Sequence, residues 1–213
     1  MKLVLLGDSV LAGCVVVKKQ SCESILRRKL GKSWVVVNRS VGGSSTKHLI
    51  SRLGNALATK PDFVVVQVQI NDAQYRMPFE RHVTKYHPAI EKFRRWFIRN
   101  FRGMRWTSPK EYEKNLRYII RRVKSGGAIP LVLTSNHLEE KIWPRSNESI
   151  DEYRKIIIKV CQAENAALVD FFKAYQKYGR KIIADGKHLN AFGQKLLADM
   201  ILRSLKRQPT RSP

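Results

Sequence analysis

With 213 residues, 43% hydrophobic and 27% charged, the chain is long enough to bury a core unaided and too apolar for a disordered segment. Lys and Arg number 41 against 17 Asp and Glu, a formal net charge of +24, which suits contact with a polyanion or an anionic surface, and equally a solvated basic exterior. The apolar run at residues 3–6 is too short for a signal-peptide core and no run approaches a bilayer span, so a soluble, cytoplasmic protein without a transmembrane segment is expected.

Residues 3–6 form the first predicted strand, an unbroken apolar run that stops at Gly7-Asp8-Ser9, as a buried strand of a parallel sheet does. Residues 22–30 place Ile25, Leu26 and Leu30 at helical spacing, and Gly31 closes that helix. Residues 34–38 are the second strand, followed by a Gly/Ser loop over 40–45 and a helix over 46–58 with Leu49, Ile50, Leu53 and Leu57 on one face. The strongest strand, residues 63–68, ends at Gln69-Ile70-Asn71-Asp72. Ser108-Pro109 opens a helix that Gly126-Gly127 ends, and residues 128–134 are the fourth strand. A helix over 149–165, a strand over 166–169, a brief helix over 170–178 and a last helix over 190–205 follow, the last with Phe192, Leu196, Leu197 and Ile201 inward. This alternation predicts an α/β fold, a parallel sheet of about five strands covered on both faces, in one domain over 1–207 with a polar tail over 208–213.

One segment breaks the alternation. Residues 76–106 carry no strand signal and exceed an ordinary connection in length. Basic residues there interleave with Phe79, Phe93, Trp96, Phe97 and Phe101, and Ile90, Phe93, Phe97, Phe101 and Met104 share one helical face. A helical insertion beside the site is expected, with two readings of its aromatic face: packed on the core, or presented to substrate or an anionic surface. Cys14, Cys22 and Cys161 are widely spaced without a Cys-x-x-Cys pair, which points to buried structural thiols and gives no indication of a zinc site.

In open α/β sheets ligands bind beyond the carboxyl ends of the strands, so Ser9 stands where a site is expected. A serine hydroxyl becomes a nucleophile when a base accepts its proton. Among the five histidines, His188 stands out, in Asp185-Gly186-Lys187-His188 just before the last helix. Asp185 is near enough in sequence to orient one ring nitrogen and leave the other for Ser9. Donors for an oxyanion are available at Gly42-Gly43 and at Asn71, each following a strand, with the Ser9 N–H as a third. Each element alone has an ordinary alternative: a turn, a helix cap or a loop residue. Their order is the stronger signal.

The sequence resembles the SGNH hydrolases, the GDSL esterase/lipase family, through Gly7-Asp8-Ser9, Asn38 to Gly43, Asn71-Asp72 and Asp185 to His188. The resemblance implies a flavodoxin-like three-layer α/β/α fold and a carboxylic ester hydrolase without metal or organic cofactor. By position it implies Ser9 as nucleophile, His188 as general base and acid, Asp185 as its orienter, and an oxyanion hole from Ser9, Gly43 and Asn71. Val10 stands where the family name has leucine, and Gln69 where its third block has glycine. Gln69, Phe79 and Trp96 are expected to touch substrate. The expected partner is an acyl ester of the lipid or acetylated-carbohydrate class, with contact to an anionic surface or polyanion. Transfer of the acyl group to another hydroxyl by the same triad, and polyanion binding on a hydrolase fold, are the alternatives.

Overall fold

The computed structural model describes residues 1–78, 87–101 and 103–208. Its elements run β1 (Lys2–Gly7), α1 (Ser9–Ala12), α2 (Cys22–Leu30), β2 (Val35–Asn38), α3 (Thr46–Leu57), β3 (Phe63–Gln67), α4 (Ile70–Ala73), β4 (Tyr75–Arg76), α5 (Pro88–Phe101), β5 (Met104–Arg105), α6 (Pro109–Ser125), β6 (Ile129–Leu133), α7 (Ser146–Ala163), β7 (Ala167–Val169), α8 (Phe172–Tyr178) and α9 (Ala191–Lys206), with short 3-10 turns before α2 and after α8.

Five strands make one parallel sheet in the order β2-β1-β3-β6-β7. Leu3, Val4, Leu5 and Leu6 of β1 have no exposed surface. Their uninterrupted apolar run is what a strand covered on both faces requires. Helices α3, α6 and α7 pack together over one face, and α2 with α9 over the other, giving three layers. The chain reverses its strand order between β1 and β3. That reversal opens a crevice at their carboxyl ends, where ligands bind in this class of sheet.

Helix starts follow local chemistry. The Ser108 hydroxyl accepts from the Glu111 N–H with Pro109 in the first turn, and the Asn190 side chain accepts from the Gly193 N–H at the head of α9. Among the described residues no helix is long and apolar enough to cross a membrane.

Four sequence expectations need correction. Helix α7 begins at Ser146 rather than at residue 149, and Ser149 is fully buried. Phe192, expected inward, is 42% exposed, because it occupies the outer side of the first turn of α9. The insertion does contain strand: Tyr75 and Arg76 pair antiparallel with Arg105 and Met104, a short ribbon that closes the base of α5. Cys14, expected as a buried thiol, is exposed, whereas Cys22 and Cys161 are buried free thiols as expected.

The insertion helix also chooses between its two readings. Phe93, Trp96 and Phe101 lie more than half exposed, whereas Arg94 and Ile98 are buried. The aromatic face of α5 is turned outward.

Candidate active site

The site is built on the loops that leave β1, β2, β3 and the turn before α9. Beyond β1 the backbone turns sharply into α1. Asp8 caps that helix, its carboxylate accepting from the Val10 N–H at 2.8 Å. Gly7 is needed for the turn: a Cβ there would lie 2.8 Å from the Gln67 carbonyl oxygen. Ser9 is thereby held as the first residue of α1 at the mouth of the crevice.

The Ser9 Oγ lies 2.9 Å from His188 Nε2, and His188 Nδ1 lies 2.7 Å from Asp185 Oδ2. A carboxylate only accepts, so Nδ1 carries the proton and Nε2 is left to accept from the serine hydroxyl. Asp185 is fixed in turn by the backbone N–H groups of His188 at 2.8 Å and Lys187 at 3.1 Å. Burial pushes its carboxyl up, but the His188 and Lys187 bonds prevail and hold it below the usual carboxylate value. The turn is pinched at its base by a bridge between Ile183 and Leu189, and the Ala184 N–H donates to the His188 carbonyl at 2.8 Å. The loop after β6 braces it from outside: Glu139 N–H donates to the Gly186 carbonyl at 2.8 Å, and the Asn136 amide to the Lys187 carbonyl at 3.1 Å.

The loop after β2 returns to the same place. Val41 N–H donates to the Gly7 carbonyl at 3.0 Å, and a Cβ on Gly42 would sit 3.8 Å from that of Ser9. Gly43 has φ +74°, a left-handed conformation that a side chain would strain.

Asn71, in α4 after β3, is buried between these loops. Its amide donates to the Ser44 carbonyl at 2.9 Å and, at 3.4 Å, approaches Asp8 Oδ2. Its oxygen accepts from Lys187 Nζ at 3.0 Å. An ammonium can only donate, so Lys187 dictates which way the Asn71 amide faces. The same ammonium reaches Gln74 Oε1 at 3.3 Å and lies 5.1 Å from the Trp143 ring centroid. Desolvation pushes its pKa down, opposed by the nearby Asp8 and Asp185 charges.

Lys187, Gln74 and Trp143 were not singled out from the sequence. Lys187 lies inside a recognised block, and a cation between Asp185 and His188 was a signal available there. Gln74 and Trp143 carry no local signal, because only tertiary contact brings them to Lys187.

Asp8 and Asp72 support the walls. Burial pushes the Asp8 carboxyl up, opposed by the bond it accepts from the Val10 N–H. Asp72 clamps the start of α3, accepting from the Thr46 N–H at 3.0 Å and its hydroxyl at 2.7 Å, and burial pushes its carboxyl up to about 6.

The expected substrate contacts fare differently. Gln69 is enclosed, its amide donating to the Ile150 carbonyl at 2.7 Å and its oxygen accepting from the Ser135 N–H at 2.9 Å. It stitches the end of β3 to the β6 loop and α7. Trp96 is 52% exposed and stacks on Phe93 on the outer side of α5, with ring centroids 5.7 Å apart. Phe79 lies outside the described residues.

Residues 5–196 match the model of the GDSL-like lipase/acylhydrolase family. Curated relatives include the acetylxylan esterase of Geobacillus stearothermophilus, 24% identical over 80% of this chain and 71% of its own length. Another is the thioesterase 1/protease 1/lysophospholipase L1 of Escherichia coli strain K12, 26% identical over 96% of this chain and 83% of its own. Among solved structures, the acetyl xylan esterase AlAXEase superposes with a TM-score of 0.72 at 19% identity, covering 96% of this chain and 100% of its own. The fold and the matched model agree, and the chain belongs to the GDSL-like lipase/acylhydrolase family of hydrolases.

Proposed function

We propose that the protein is a serine esterase that cleaves an acyl ester through an acyl-enzyme on Ser9. The observation that carries this reading is the continuous hydrogen-bonded chain from Asp185 through His188 to the Ser9 hydroxyl.

In the first half-reaction Ser9 Oγ attacks the ester carbonyl carbon as His188 Nε2 takes the hydroxyl proton. Asp185 holds the ring and stabilises the imidazolium. The carbonyl π electrons move to oxygen, and this oxyanion is met by the backbone N–H groups of Ser9 and Gly43 and by the Asn71 amide. For that, Asn71 exchanges a hydrogen bond now made to Ser44 for one to the oxyanion. Collapse breaks the bond to the alcohol oxygen, which leaves with the proton from His188. Water then attacks the acyl-enzyme by the reverse sequence, releasing the acid and restoring Ser9.

The relatives' names, an acetylxylan esterase and a thioesterase/lysophospholipase, support an ester of the acetylated-carbohydrate or lipid class. The insertion holding α5 is assigned as a cap that helps to select it. Arg94 of α5 lies 5.3 Å from the centroid of the Trp143 ring that Lys187 also faces.

Treatment with a fluorophosphonate followed by peptide mapping tests the reading. The expected result is an adduct on Ser9 that is lost in His188→Ala; no labelling of folded protein overturns it. A panel of p-nitrophenyl esters then grades acyl length.

A further inference from the structure

Among the described residues, the outer face of α5 and the strand after it gather five exposed large hydrophobic side chains. Ile90, Phe93, Trp96, Phe101 and Met104 are between 46% and 61% exposed, and all fall within one helix and the short strand after it. They are not isolated side chains. Phe93 stacks on Trp96 at 5.7 Å, Trp96 meets Phe101 edge-on at 5.6 Å, and Phe97 bridges Phe93 and Phe101 at 6.3 and 5.2 Å. A contiguous exposed apolar patch marks an interaction surface rather than ordinary surface scatter.

Its surroundings say what it meets. Lys92 and Arg99 lie on the same helix and by helical period flank the aromatic ladder, and the whole chain carries +24. A second copy seated on this face would bring like charges together. An anionic bilayer complements them: rings enter the boundary between headgroup and acyl chain, while the basic side chains reach phosphate. The helix is also mounted rigidly. The ribbon of β4 and β5 closes its base, Ile98 anchors it in the core, and Arg94, 4% exposed, pairs with Glu91 and faces Trp143.

We infer that α5 is an interfacial helix that docks this protein on an anionic lipid surface through Phe93, Trp96 and Phe101. Docking is independent of the chemistry at Ser9. It positions the α5 side of the molecule, through Trp143 and Lys187 next to Asn71, at the membrane plane.

The test uses the full chain as Ser9→Ala, so that no vesicle lipid is consumed. Co-sedimentation is measured with vesicles of phosphatidylcholine alone and of phosphatidylcholine mixed with phosphatidylglycerol, at low and high salt. The expected result is binding to the anionic vesicles at least about tenfold tighter than to the neutral ones and weakened by salt. Phe93→Ser/Phe101→Ser, checked for folding by circular dichroism, loses it by a further tenfold or so. In the otherwise unmodified chain, brominated lipid quenches tryptophan emission, and Trp96→Phe lowers that quenching by about half or more. This arm holds even if the double variant fails to fold. Absence of binding to anionic vesicles at low salt, or quenching left unchanged by Trp96→Phe, overturns the inference. So does a dimer in solution that the double variant dissolves, which would assign the face to a second copy.

Discussion

The triad loops and the insertion helix lie side by side and are built on opposite principles. Around Ser9 the reacting groups are tied into a network: Asp185 takes the His188 ring and two backbone N–H groups, and Asn71 is held at both ends of its amide. On α5 the arrangement is inverted, with an arginine buried and phenylalanines exposed. Chemistry demands groups held within fractions of an ångström, which only a dense network of short bonds supplies. A surface that meets a fluid partner needs area and charge rather than fixed geometry. On the proposed reading, the first part answers for reaction and the second for location.

Substitutions can break that comparison, and the largest effect belongs to the triad. Ser9→Ala or His188→Ala should lower kcat on a soluble ester by on the order of 10⁴-fold or more, with little added loss in the double variant. Steady-state kinetics on p-nitrophenyl acetate measures this, and roughly additive losses would show that the two do not act as one unit. Asn71→Ala should cost about 10²- to 10³-fold in kcat with KM little changed, the signature of a donor that acts on the oxyanion.

Asp72 gives a pH-dependent effect. Its folded-state pKa, pushed up to about 6 by burial, lies above the ordinary 3.8. The folded chain therefore holds this proton more tightly than the unfolded chain, and stability from this group is full below about 3.8 and lost as pH rises through about 6. Relative to Asp72→Asn, the protein should lose on the order of 3 kcal/mol between those limits, read from urea midpoints across pH. A difference that grows in the opposite direction would refute the assignment.

Lys187→Met should lower kcat about tenfold, because the Asn71 amide then keeps its orientation only through the Ser44 carbonyl, a bond it must give up to meet the oxyanion. Lys187→Gln should recover most of it, since a side-chain amide can still donate to Asn71 Oδ1. Equal activity of both variants with wild type would reduce Lys187 to a bystander. The smallest effect is expected on the other region: Phe93→Ser should move stability by no more than about 0.5 kcal/mol. Leu116→Ala in the buried face of α6 should cost about 2–5 kcal/mol, and thermal unfolding of the two variants sharpens the contrast.

Much of this was legible in the residues. The five strands of the main sheet read from their apolar runs, and the blocks at Ser9, Gly43, Asn71 and His188 read from their places after strands or before the last helix. Those signals are local: a run of Val and Leu, a glycine at a turn, an Asp three residues before a His. Where Gln69 points is not local, because its two partners, Ser135 and Ile150, are distant in sequence.

The insertion marks the boundary most clearly. By itself the sequence determined that Ile90, Phe93, Phe97 and Phe101 share one side of a helix, because helical period sets the angle between side chains. It did not determine which side meets the core. Only the tertiary structure decided that, when the ribbon of β4 and β5 and the Arg94–Trp143 contact oriented the helix and left its aromatic ladder facing out. Periodicity gives relative directions, and the surroundings supply the absolute one.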